Sequence, residues 1–521
     1  MLAVAVVARS PGYDTSLANH LRRWLGQEGV SARVVSADAM SGALAKEKLA
    51  FLVGFANPSA PEMATLRAFR SRGGKLVVFH SASKALADLM GVRPVGYAAA
   101  PYPGAYSRMT FSSETPAGLP SSIRQTSGVL QRARPVAGRS RTIATWVDRR
   151  GKSTGEPAWI ASDAGFWMTH VLLADGDEDQ KARLLGAIAG SADPSAWSLA
   201  AHRRRVSEQA AATRAFAMRQ TARAGEIHAV WEHSGCGLYP GDWARTFRVL
   251  RESRVTDLFV NVAGFAFAHY PSDVLPRSKT FSDEGDQLAA CLAAARGSGI
   301  RVHAWIVCFS ATRGTPAARA DVARRGWLLK TPKGEATEYV DPSSAQVRGR
   351  ILDAISEMQR KYPSLSGVHL DFVRWGDAAA KPRDAAASVT RFVSDARRRV
   401  ARPRWLTAAV YGKYPLCVSS VGQDWGSWLD AGLVDYLAPM NYAQSNAAFA
   451  ELLAMQSVPR ARARKLISGI GVTANESRLD ARQVIEQAAM ARRAGFAGVA
   501  LFDLDATLER QVLPYLRLGL W

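Results

Sequence analysis

The sequence predicts an α/β protein of two domains, a doubly wound sheet domain followed by a (β/α)8 barrel. Three observations favour this fold class. Short β-branched runs alternate with amphipathic helical segments, which is typical of parallel sheets covered by helices. An Ala- and Arg-rich segment over residues 198–225 has few helix breakers and separates two such regions. After it, eight strand and helix pairs follow, the number that closes a barrel.

The N-terminal domain is predicted over residues 1–195. Helices are expected over Ser16–Gln27 and near Glu62–Arg72, and Gly73 and Gly74 end the second helix. The alternation with strands predicts a flavodoxin-like arrangement. The expected strands cover residues 2–8, 32–35, 49–55, 75–79, 142–148, 158–164 and 166–174.

A helical connector is predicted over residues 196–225, and a TIM barrel over residues 226–521. Each barrel strand is expected to be followed by a helix that packs on the outside of the barrel. The eight predicted barrel strands cover residues 228–234, 257–264, 302–310, 367–375, 406–412, 434–442, 466–472 and 498–504.

The composition excludes several classes of protein. No stretch provides the roughly 20 apolar residues of a transmembrane helix, so no transmembrane segment is expected. The net charge of +22 comes from 67 basic and 45 acidic residues, with the arginines spread over many helices. These arginines are either solvated helix faces or a surface for a polyanion. Nucleic acid is not predicted as a partner, because no zinc module, recognition helix or aromatic and basic RNA motif is present.

No cofactor or metal is predicted. The four cysteines lie far apart without a CxxC pair, and HxH, HExxH, GxGxxG and GxxxxGK[ST] patterns are absent. The first residues, MLAVAVVARS, indicate a buried strand and not a signal peptide. We therefore expect an extracytoplasmic protein if a leader was removed before residue 1, and a cytoplasmic one otherwise.

Asp371 is the strongest candidate for a functional residue. It lies near the end of the fourth predicted barrel strand, in GVHLDFVRW, and barrel active sites form where strands end. Strand alternation would place His369, Asp371 and Val373 on the inner face, opposite Phe372. A buried carboxylate there is costly without a partner. The alternative is a structural ion pair with a neighbouring Arg or His.

Several stretches of the barrel together resemble the glycoside-hydrolase-like family 10. The similarity runs over residues 226–521, and the N-terminal part is similar to class I glutamine-amidotransferase-like domains. The matching stretches are AVWEHSGCGLYP, FVNVAGFAFAHYPSDVLP, GDQLAACLAAARGSGIRVHAWIV, YVDPSS, GVHLDFVRW, YLAPMNY and GVALFDLD.

The barrel resemblance implies an exported enzyme that cleaves glycosidic bonds in a cell-wall or matrix polysaccharide. The positive surface would also suit an anionic polysaccharide. In the amidotransferase-like domain, the turn that should hold a nucleophilic cysteine reads His80, Ser81, Ala82, Ser83. Glutaminase chemistry is therefore excluded. A hydrolase that uses Ser81 remains open, although the Gly-x-Ser-x-Gly motif is missing, as do roles in stability, ligand binding or homo-oligomer formation.

The fourth strand also resembles the DGxDxDxE motif of family 18 chitinases. Gly367 and Asp371 match its Gly and final Asp, but Val373 occupies the position of the general acid. The proton donor should then come from another strand. Asp503 after the eighth strand is the first candidate and Glu232 after the first strand the second, so the predicted catalytic residues are Asp371, Asp503 and Glu232. Further donor candidates are Asp505, Glu476, His233 and His369.

Sugars are bound by aromatic platforms and hydrogen-bonding side chains, and such residues follow the predicted strand ends. Tyr442 in PMNY also resembles the chitinase Tyr that positions an N-acetyl group. The alternative hypothesis is a catalytically silent glycan-binding protein. The predicted substrate-binding residues are His233, Tyr239, Asn261, Tyr270, Trp305, His369, Arg374, Tyr411, Asn441 and Tyr442, with Trp231 and Trp375 as further aromatic candidates.

Overall fold

The structure is a computed structural model that describes residues 4–102, 104–112, 116–148, 150–174, 177–377, 379–456 and 460–521. The chain divides into two compact units, Met1–Ala210 and Ala211–Trp521. The predicted fold class is confirmed: an N-terminal sheet rich in parallel strands is followed by a closed barrel of eight parallel strands. The start of the first predicted strand, residues 2 and 3, lies outside the described residues.

The first unit is built on eleven strands and six helices among its described residues. Its strands are β1 (Val4–Ala8), β2 (Ala32–Ser36), β3 (Leu49–Val53), β4 (Lys75–Phe79), β5 (Val92–Ala99), β6 (Tyr106–Phe111), β7 (Ser122–Ser127), β8 (Val129–Pro135), β9 (Ser140–Val147), β10 (Ser153–Ser162) and β11 (Gly165–Met168). Its helices are α1 (Tyr13–Gln27), α2 (Met40–Leu44), α3 (Ala60–Ser71), α4 (Lys84–Met90), α5 (Glu178–Ala192) and α6 (Leu199–Met218), the last of which continues into the second unit.

The main sheet of the first unit has the order β2-β1-β3-β4-β11-β10-β9-β6-β7. The first five strands are parallel, and β10, β9, β6 and β7 extend the sheet in antiparallel fashion. Separate apolar clusters cover the two faces of the sheet. The doubly wound half was predicted, whereas the strands over residues 92–135 were not.

The second unit contains the barrel. Its strands are β12 (Ile227–Glu232), β13 (Asp257–Gly264), β14 (Phe267–Ala268), β15 (Arg301–Val307), β16 (Leu328–Lys330), β17 (Ala336–Val340), β18 (Gly367–Asp371), β19 (Trp405–Tyr411), β20 (Tyr436–Met440), β21 (Ile467–Gly471) and β22 (Gly498–Phe502). Its helices are α7 (Trp243–Glu252), α8 (Lys279–Glu284), α9 (Gln287–Ala295), α10 (Pro316–Arg324), α11 (Ala345–Lys361), α12 (Ala385–Arg399), α13 (Leu416–Val421), α14 (Trp425–Asp430), α15 (Asn446–Gln456), α16 (Arg460–Ala463), α17 (Ala481–Arg493) and α18 (Leu513–Leu516), with a π-helix over Leu508–Val512.

Eight parallel strands close the barrel in the order β12, β13, β15, β18, β19, β20, β21 and β22, with β22 returning to β12. All eight coincide with the predicted barrel strands. Alternate residues separate two apolar layers, as expected for strands with helices outside. The interior contains Ala229, Trp231, Phe259, Trp305 and Ala500, among others, and the larger cluster lies between strands and helices.

The amino end of the barrel is closed by an ionic cluster. Asp257, at the start of β13, is fully buried. Arg301 donates to both of its oxygens, from Nε at 2.8 Å and from Nη2 at 2.7 Å, and His303 Nε2 lies 2.8 Å from Oδ1. Burial alone would raise the pKa of Asp257, but the bonds from His303 and Arg301 lower it to about 2. This carboxylate is therefore ionised and fully paired.

Among the described residues, no helix combines the length and apolar character that a bilayer crossing requires.

Candidate active site

Asp371 is the last residue of β18, at the carboxyl end of the fourth barrel strand, and is 6% exposed. The main-chain N–H of Phe372 donates to its Oδ1 at 2.6 Å, and the indole Nε1 of Trp305 donates to Oδ2 at 3.2 Å. Burial raises the pKa of Asp371, and the charge of Arg374 and these two donors oppose the rise. Donors that contact both oxygens favour the ionised form.

Below Asp371, buried rings support it from the barrel interior. His369 stacks on Phe259 with centroids 4.2 Å apart, and it receives a hydrogen bond from Trp231 Nε1 at 2.9 Å. Its Nδ1 lies 2.8 Å from the hydroxyl of Thr407. Burial lowers the pKa of His369 well below its usual value. His369 is thus a neutral interior residue and does not extend to the mouth of the barrel.

Asp503 immediately follows β22, the eighth barrel strand. Its side chain is 23% exposed, and its Oδ1 accepts the main-chain N–H of His233 at 3.2 Å. Burial, followed by the charges of Glu232 and Asp505, raises the pKa of Asp503 to about 8. A carboxyl group that stays protonated at neutral pH can act as a general acid.

Aromatic rings connect the surroundings of the two aspartates. The ring of His233 lies 5.9 Å from Trp305 and 6.0 Å from Phe502. Phe502 stacks on Tyr442 at 5.4 Å. We use the name mouth cluster for Asp371, Asp503, His233, Trp305, Tyr442 and Phe502.

The charges of Asp371 and Asp503 both act on the hydroxyl of Tyr442. Burial, and then the charges of Asp371, Asp503 and Glu476, raise the pKa of its hydroxyl well above the usual value. Tyr442 follows β20, the sixth barrel strand, and its ring meets Trp231 edge-on at 6.4 Å. A neutral phenol between two carboxyl groups can donate a hydrogen bond to a substrate bound there.

Arg374 forms a second wall beside Asp371. Its guanidinium lies 3.9 Å from the ring centroid of Phe372 and 4.6 Å from that of Tyr411. The hydroxyl of Tyr411 donates to Asp377 at 3.1 Å, and Arg374 Nη2 lies 3.8 Å from the same carboxylate. These stacked groups hold a positive charge near Asp371, although Arg374 makes no direct hydrogen bond to it among the described contacts.

Asn261 links the mouth to the loop after β15. It is fully buried, and its amide donates to the carbonyl of Trp305 at 3.3 Å. Arg313 donates to Asn261 Oδ1, and also to the carbonyl of His233 at 3.0 Å. The loops after β12 and β15 are therefore tied to each other and to β13. Burial and the positive charge of Arg313 lower the pKa of His233 to about 4, so this imidazole is neutral at pH 7.

The carboxylate of Glu232 lies outside the mouth cluster and accepts hydrogen bonds from the main chain. It is 1% exposed and follows Trp231, which packs in the interior, so alternation turns Glu232 toward the helices. Its Oε1 accepts the main-chain N–H of Ser234 at 3.1 Å, and its Oε2 accepts that of Gly235 at 2.7 Å. The carboxylate thus stabilises the loop after β12 and acts on Asp503 only through its charge.

Three predicted substrate-binding residues lie elsewhere. Tyr270 is fully buried in the outer core and donates to Glu357 on α11 at 3.0 Å. Asn441 donates to Gln456 and Ser468, each at 3.0 Å, in a closed buried network. Tyr239 donates to Glu509 and is covered by Arg245. Their placement outside the mouth cluster corrects the expectation drawn from strand ends.

Two assignments of strand faces were also wrong. Phe372 has a φ of 48°, so the alternation of β18 stops at Asp371 and Val373 packs in the outer core. Trp375 is 3% exposed and its indole donates to the carbonyl of Ala380, away from the mouth. Phe502 packs against the interior cluster.

Sequence reasoning did not select Phe502 or Arg313. Counting by two from the interior residue Ala500 would have placed Phe502 inside the barrel. No sequence signal singles out Arg313 among 67 basic residues.

In the first unit, the turn after β4 contains no exposed nucleophile. Ser81 is fully buried and donates to the carbonyl of Phe55 at 2.7 Å. His80 precedes it with a φ of 46°. Ser81 therefore stabilises the turn and is not available to attack a substrate. Across the described ranges of both units, no three His, Cys, Asp or Glu side chains come together to hold a metal ion.

No family model matches the chain, and no curated protein sequence matches it. Solved structures do match. The α-L-fucosidase isoenzyme 2 of Paenibacillus thiaminolyticus aligns with 56% of this chain and 48% of its own, at 11% identity and a TM-score of 0.40. A chitinase from Rhizomucor miehei aligns with 56% and 98%, at 13% identity and 0.35. An α-galactosidase from Thermus thermophilus aligns with 56% and 61%, at 16% identity and 0.36.

The chain thus spans about half the length of the fucosidase and 61% of the galactosidase. All three neighbours are named for glycosides that they cleave, and that activity is a property of those proteins.

Proposed function

We propose that the barrel is a glycoside hydrolase that acts on a cell-wall or matrix polysaccharide. The observation that carries the proposal is the pair Asp371 and Asp503 at the carboxyl ends of the fourth and eighth strands. Their surroundings differ in the way that glycosidic cleavage requires. Asp371 accepts two N–H donors and lies near the positive charge of Arg374, whereas Asp503 lies near the negative charges of Glu232 and Asp505.

In this proposal Asp371 supplies the negative charge. The bonds from Phe372 and Trp305 hold its carboxylate in one orientation. A fixed anion stabilises an oxocarbenium-like transition state without having to reorganise during the reaction. Asp371 then acts as nucleophile, base or electrostatic stabiliser, three roles that differ in the separation of the carboxyl groups.

Asp503 supplies the proton in this proposal. Departure of a sugar alkoxide requires protonation of the glycosidic oxygen. With a pKa of about 8, Asp503 carries that proton at neutral pH. His233, whose N–H bonds to Asp503, positions the carboxyl group and exposes half of its own side chain.

The rings of the mouth cluster supply the platform for a sugar. Trp305, Phe502 and Tyr442 offer apolar faces of the kind that stack on the CH face of a pyranose. Arg374 and the hydroxyl of Tyr442 are the hydrogen-bond donors that we assign to the substrate's hydroxyl groups. The amidotransferase-like domain is proposed to be non-catalytic, because Ser81 is sequestered.

The test is release of reducing ends from a panel of polysaccharides that includes bacterial wall glycans, amino-sugar polymers and uronate polymers. Wild-type protein and the Asp371→Asn variant are compared on every member of the panel. Turnover by the wild type alone supports the proposal. Equal turnover by the two proteins would show that Asp371 is not the catalytic carboxylate.

The alternative function is a glycan-binding protein without turnover. The burial of Val373, which replaces the chitinase acid, favours it. It predicts binding of a panel member that is lost in Trp305→Ala and Tyr442→Ala, with no reducing ends released by any protein.

A further inference from the structure

A cleft of about 160 Å³ lies on the outer helix layer of the barrel, between α7 and the end of α9. Phe247, which is 3% exposed, contributes an apolar surface to it. Three arginines from the two helical segments line it, Arg248, Arg251 and Arg296. The remaining lining residues are Ala244, Ala294 and Ser298.

No acidic residue lines this cleft, all of whose residues are within the described chain. Arg248 and Arg251 lie three residues apart on α7, so their side chains project from one face of that helix. Glu252 lies four residues after Arg248, but no ion pair within 4.0 Å joins it to any of the three arginines in the described structure. By contrast, Arg301 is paired closely with Asp257, at 2.7 Å.

Like charges that converge on a concavity repel one another, and an anion removes that repulsion. Guanidinium groups bind carboxylate and sulfate through paired N–H donors, which gives such contacts both strength and direction. The hydroxyl of Ser298 already donates to the carbonyl of Ala295 at 2.7 Å, so the arginines are the donors left for a ligand. The three arginines of the cleft can therefore donate hydrogen bonds to an oxyanion.

The cleft lies far from the mouth cluster along the barrel axis. Helix α7 starts after the carboxyl end of β12 and runs back toward the amino end, and its last turns contain Arg248 and Arg251. Arg296 likewise comes shortly before Arg301, the first residue of β15. A polymer bound here therefore contacts a surface separate from Asp371 and Asp503.

We propose that this arginine cleft is a second carbohydrate-binding site that takes the carboxylate or sulfate groups of an anionic polysaccharide. The proposal rests on the proposed function only for the class of polymer, since the oxyanion chemistry follows from the cleft itself. Such a site would hold a long anionic chain to the protein while the mouth acts on another part of that chain. The overall charge of +22 would attract the polysaccharide from a distance, and the arginines of the cleft would then bind its anionic groups.

The experiment measures binding of full-length protein to labelled polygalacturonate, dextran sulfate and neutral dextran. The test variant is the triple substitution Arg248→Gln, Arg251→Gln and Arg296→Gln. The matched control removes three exposed barrel arginines that form no ion pair in the described structure, Arg360→Gln, Arg383→Gln and Arg391→Gln. Both variants lose the same net charge, so a difference in binding between them measures the contribution of the cleft arginines apart from that of overall charge.

We expect the cleft variant to bind one of the two anionic polymers about tenfold more weakly or worse, because charge-assisted contacts are lost. The control variant should stay within about twofold of wild type at 0.15 M salt, where exposed charges are screened. The polygalacturonate and dextran sulfate arms decide between carboxylate and sulfate. Neutral dextran should not bind through the cleft.

Equal losses in the two triple variants would assign the binding to net charge and overturn the proposal, as would no loss in either. Cleft-dependent binding of a 20-base-pair DNA duplex without binding of either polysaccharide would make the polymer class wrong. Turnover of a short substrate checks independence: it should be unchanged in the cleft variant. If Asp371→Asn fails to affect turnover while the cleft result holds, the proposed function fails and the binding site stands.

Discussion

The two ends of the barrel each contain an aspartate whose pKa is shifted, and the shifts are opposite in sign. At the amino end, Asp257 is paired with Arg301 and His303, and its pKa is lowered to about 2. At the carboxyl end, Asp503 lies near Glu232 and Asp505, and its pKa is raised to about 8. The surroundings therefore favour the ionised form of Asp257 and disfavour the ionised form of Asp503.

This difference distinguishes a stabilising carboxylate from a reactive one. A fully paired carboxylate has little to gain from contact with a substrate, whereas one kept protonated by its surroundings can give up its proton. Burial by itself does not mark a carboxylate as reactive, because Asp257 and Asp371 are both nearly inaccessible and Asp257 is fully paired. The charge of the neighbouring groups decides whether such a carboxylate is ionised and paired or kept protonated.

The largest expected effect comes from Asp371→Asn. The amide keeps the volume but removes the charge that the transition state requires, so we expect kcat/KM on a confirmed substrate to fall by about a thousandfold or more. Asp257→Asn is the matched control, and turnover by its folded fraction should remain near wild type. Loss of turnover in both variants alike would remove the distinction between the two ends.

The next effect is that of Asp503→Asn. We expect turnover of natural linkages to fall by about a hundredfold to ten-thousandfold, the usual contribution of a general acid. Aryl glycosides whose leaving groups need no proton should recover most of the wild-type rate. If natural and activated substrates lose activity equally, Asp503 is not the proton donor.

The third effect concerns stability. Asp257→Asn removes the anionic partner of the buried His303 and of Arg301, whose side chain is 43% exposed, which should cost about 3 kcal/mol of unfolding free energy. Urea denaturation at pH 7 measures it. A cost below about 1 kcal/mol would show that the cluster at the amino end is not a stabilising feature.

The pH dependence of stability should differ in sign between the two aspartates. Asp257 has a depressed pKa, so its contribution is present above about pH 4 and is lost as pH falls toward 2. Asp503 has a raised pKa, so its contribution is present below about pH 4 and is lost as pH rises through about 8. Asp503→Asn should therefore remove part of the decline between pH 4 and 8, measured by urea unfolding at each pH. An unchanged slope would contradict the raised pKa.

The smallest effect is that of Glu232→Gln. Removing this charge should lower the pKa of Asp503, so the basic limb of the pH–rate profile should move to lower pH with kcat changed by less than about tenfold. A loss of activity as large as that of Asp371→Asn would instead make Glu232 a catalytic residue.

The barrel could be predicted from the sequence because its strands are continuous apolar runs, each preceded and followed by a helical segment, as in GVALFDL and DLFVNVAG. The strands over residues 92–135 were missed since they contain Pro94, Gly96 and several arginines, and β5 exposes one of its faces. Those features resemble loops in the absence of a partner strand.

For the candidate site, strand counting placed Asp371 correctly on the inner face but failed where strands end. Val373 was misplaced because Phe372 adopts a left-handed conformation, and Asn441 because its amide bonds to Gln456 on a helix fifteen residues later. Alternation is a property of extended backbone, and catalytic loops begin where that conformation stops.

The carboxylate of Asp371 has one donor on each oxygen, from Phe372 and from Trp305. It cannot turn about its own bond without breaking both contacts, so its plane is fixed relative to the barrel. Under the proposed function, a sugar would have to present its anomeric carbon from one side. We expect the protein to discriminate between α and β anomers of one aryl glycoside, and Trp305→Phe, which frees one oxygen, to weaken that stereochemical preference.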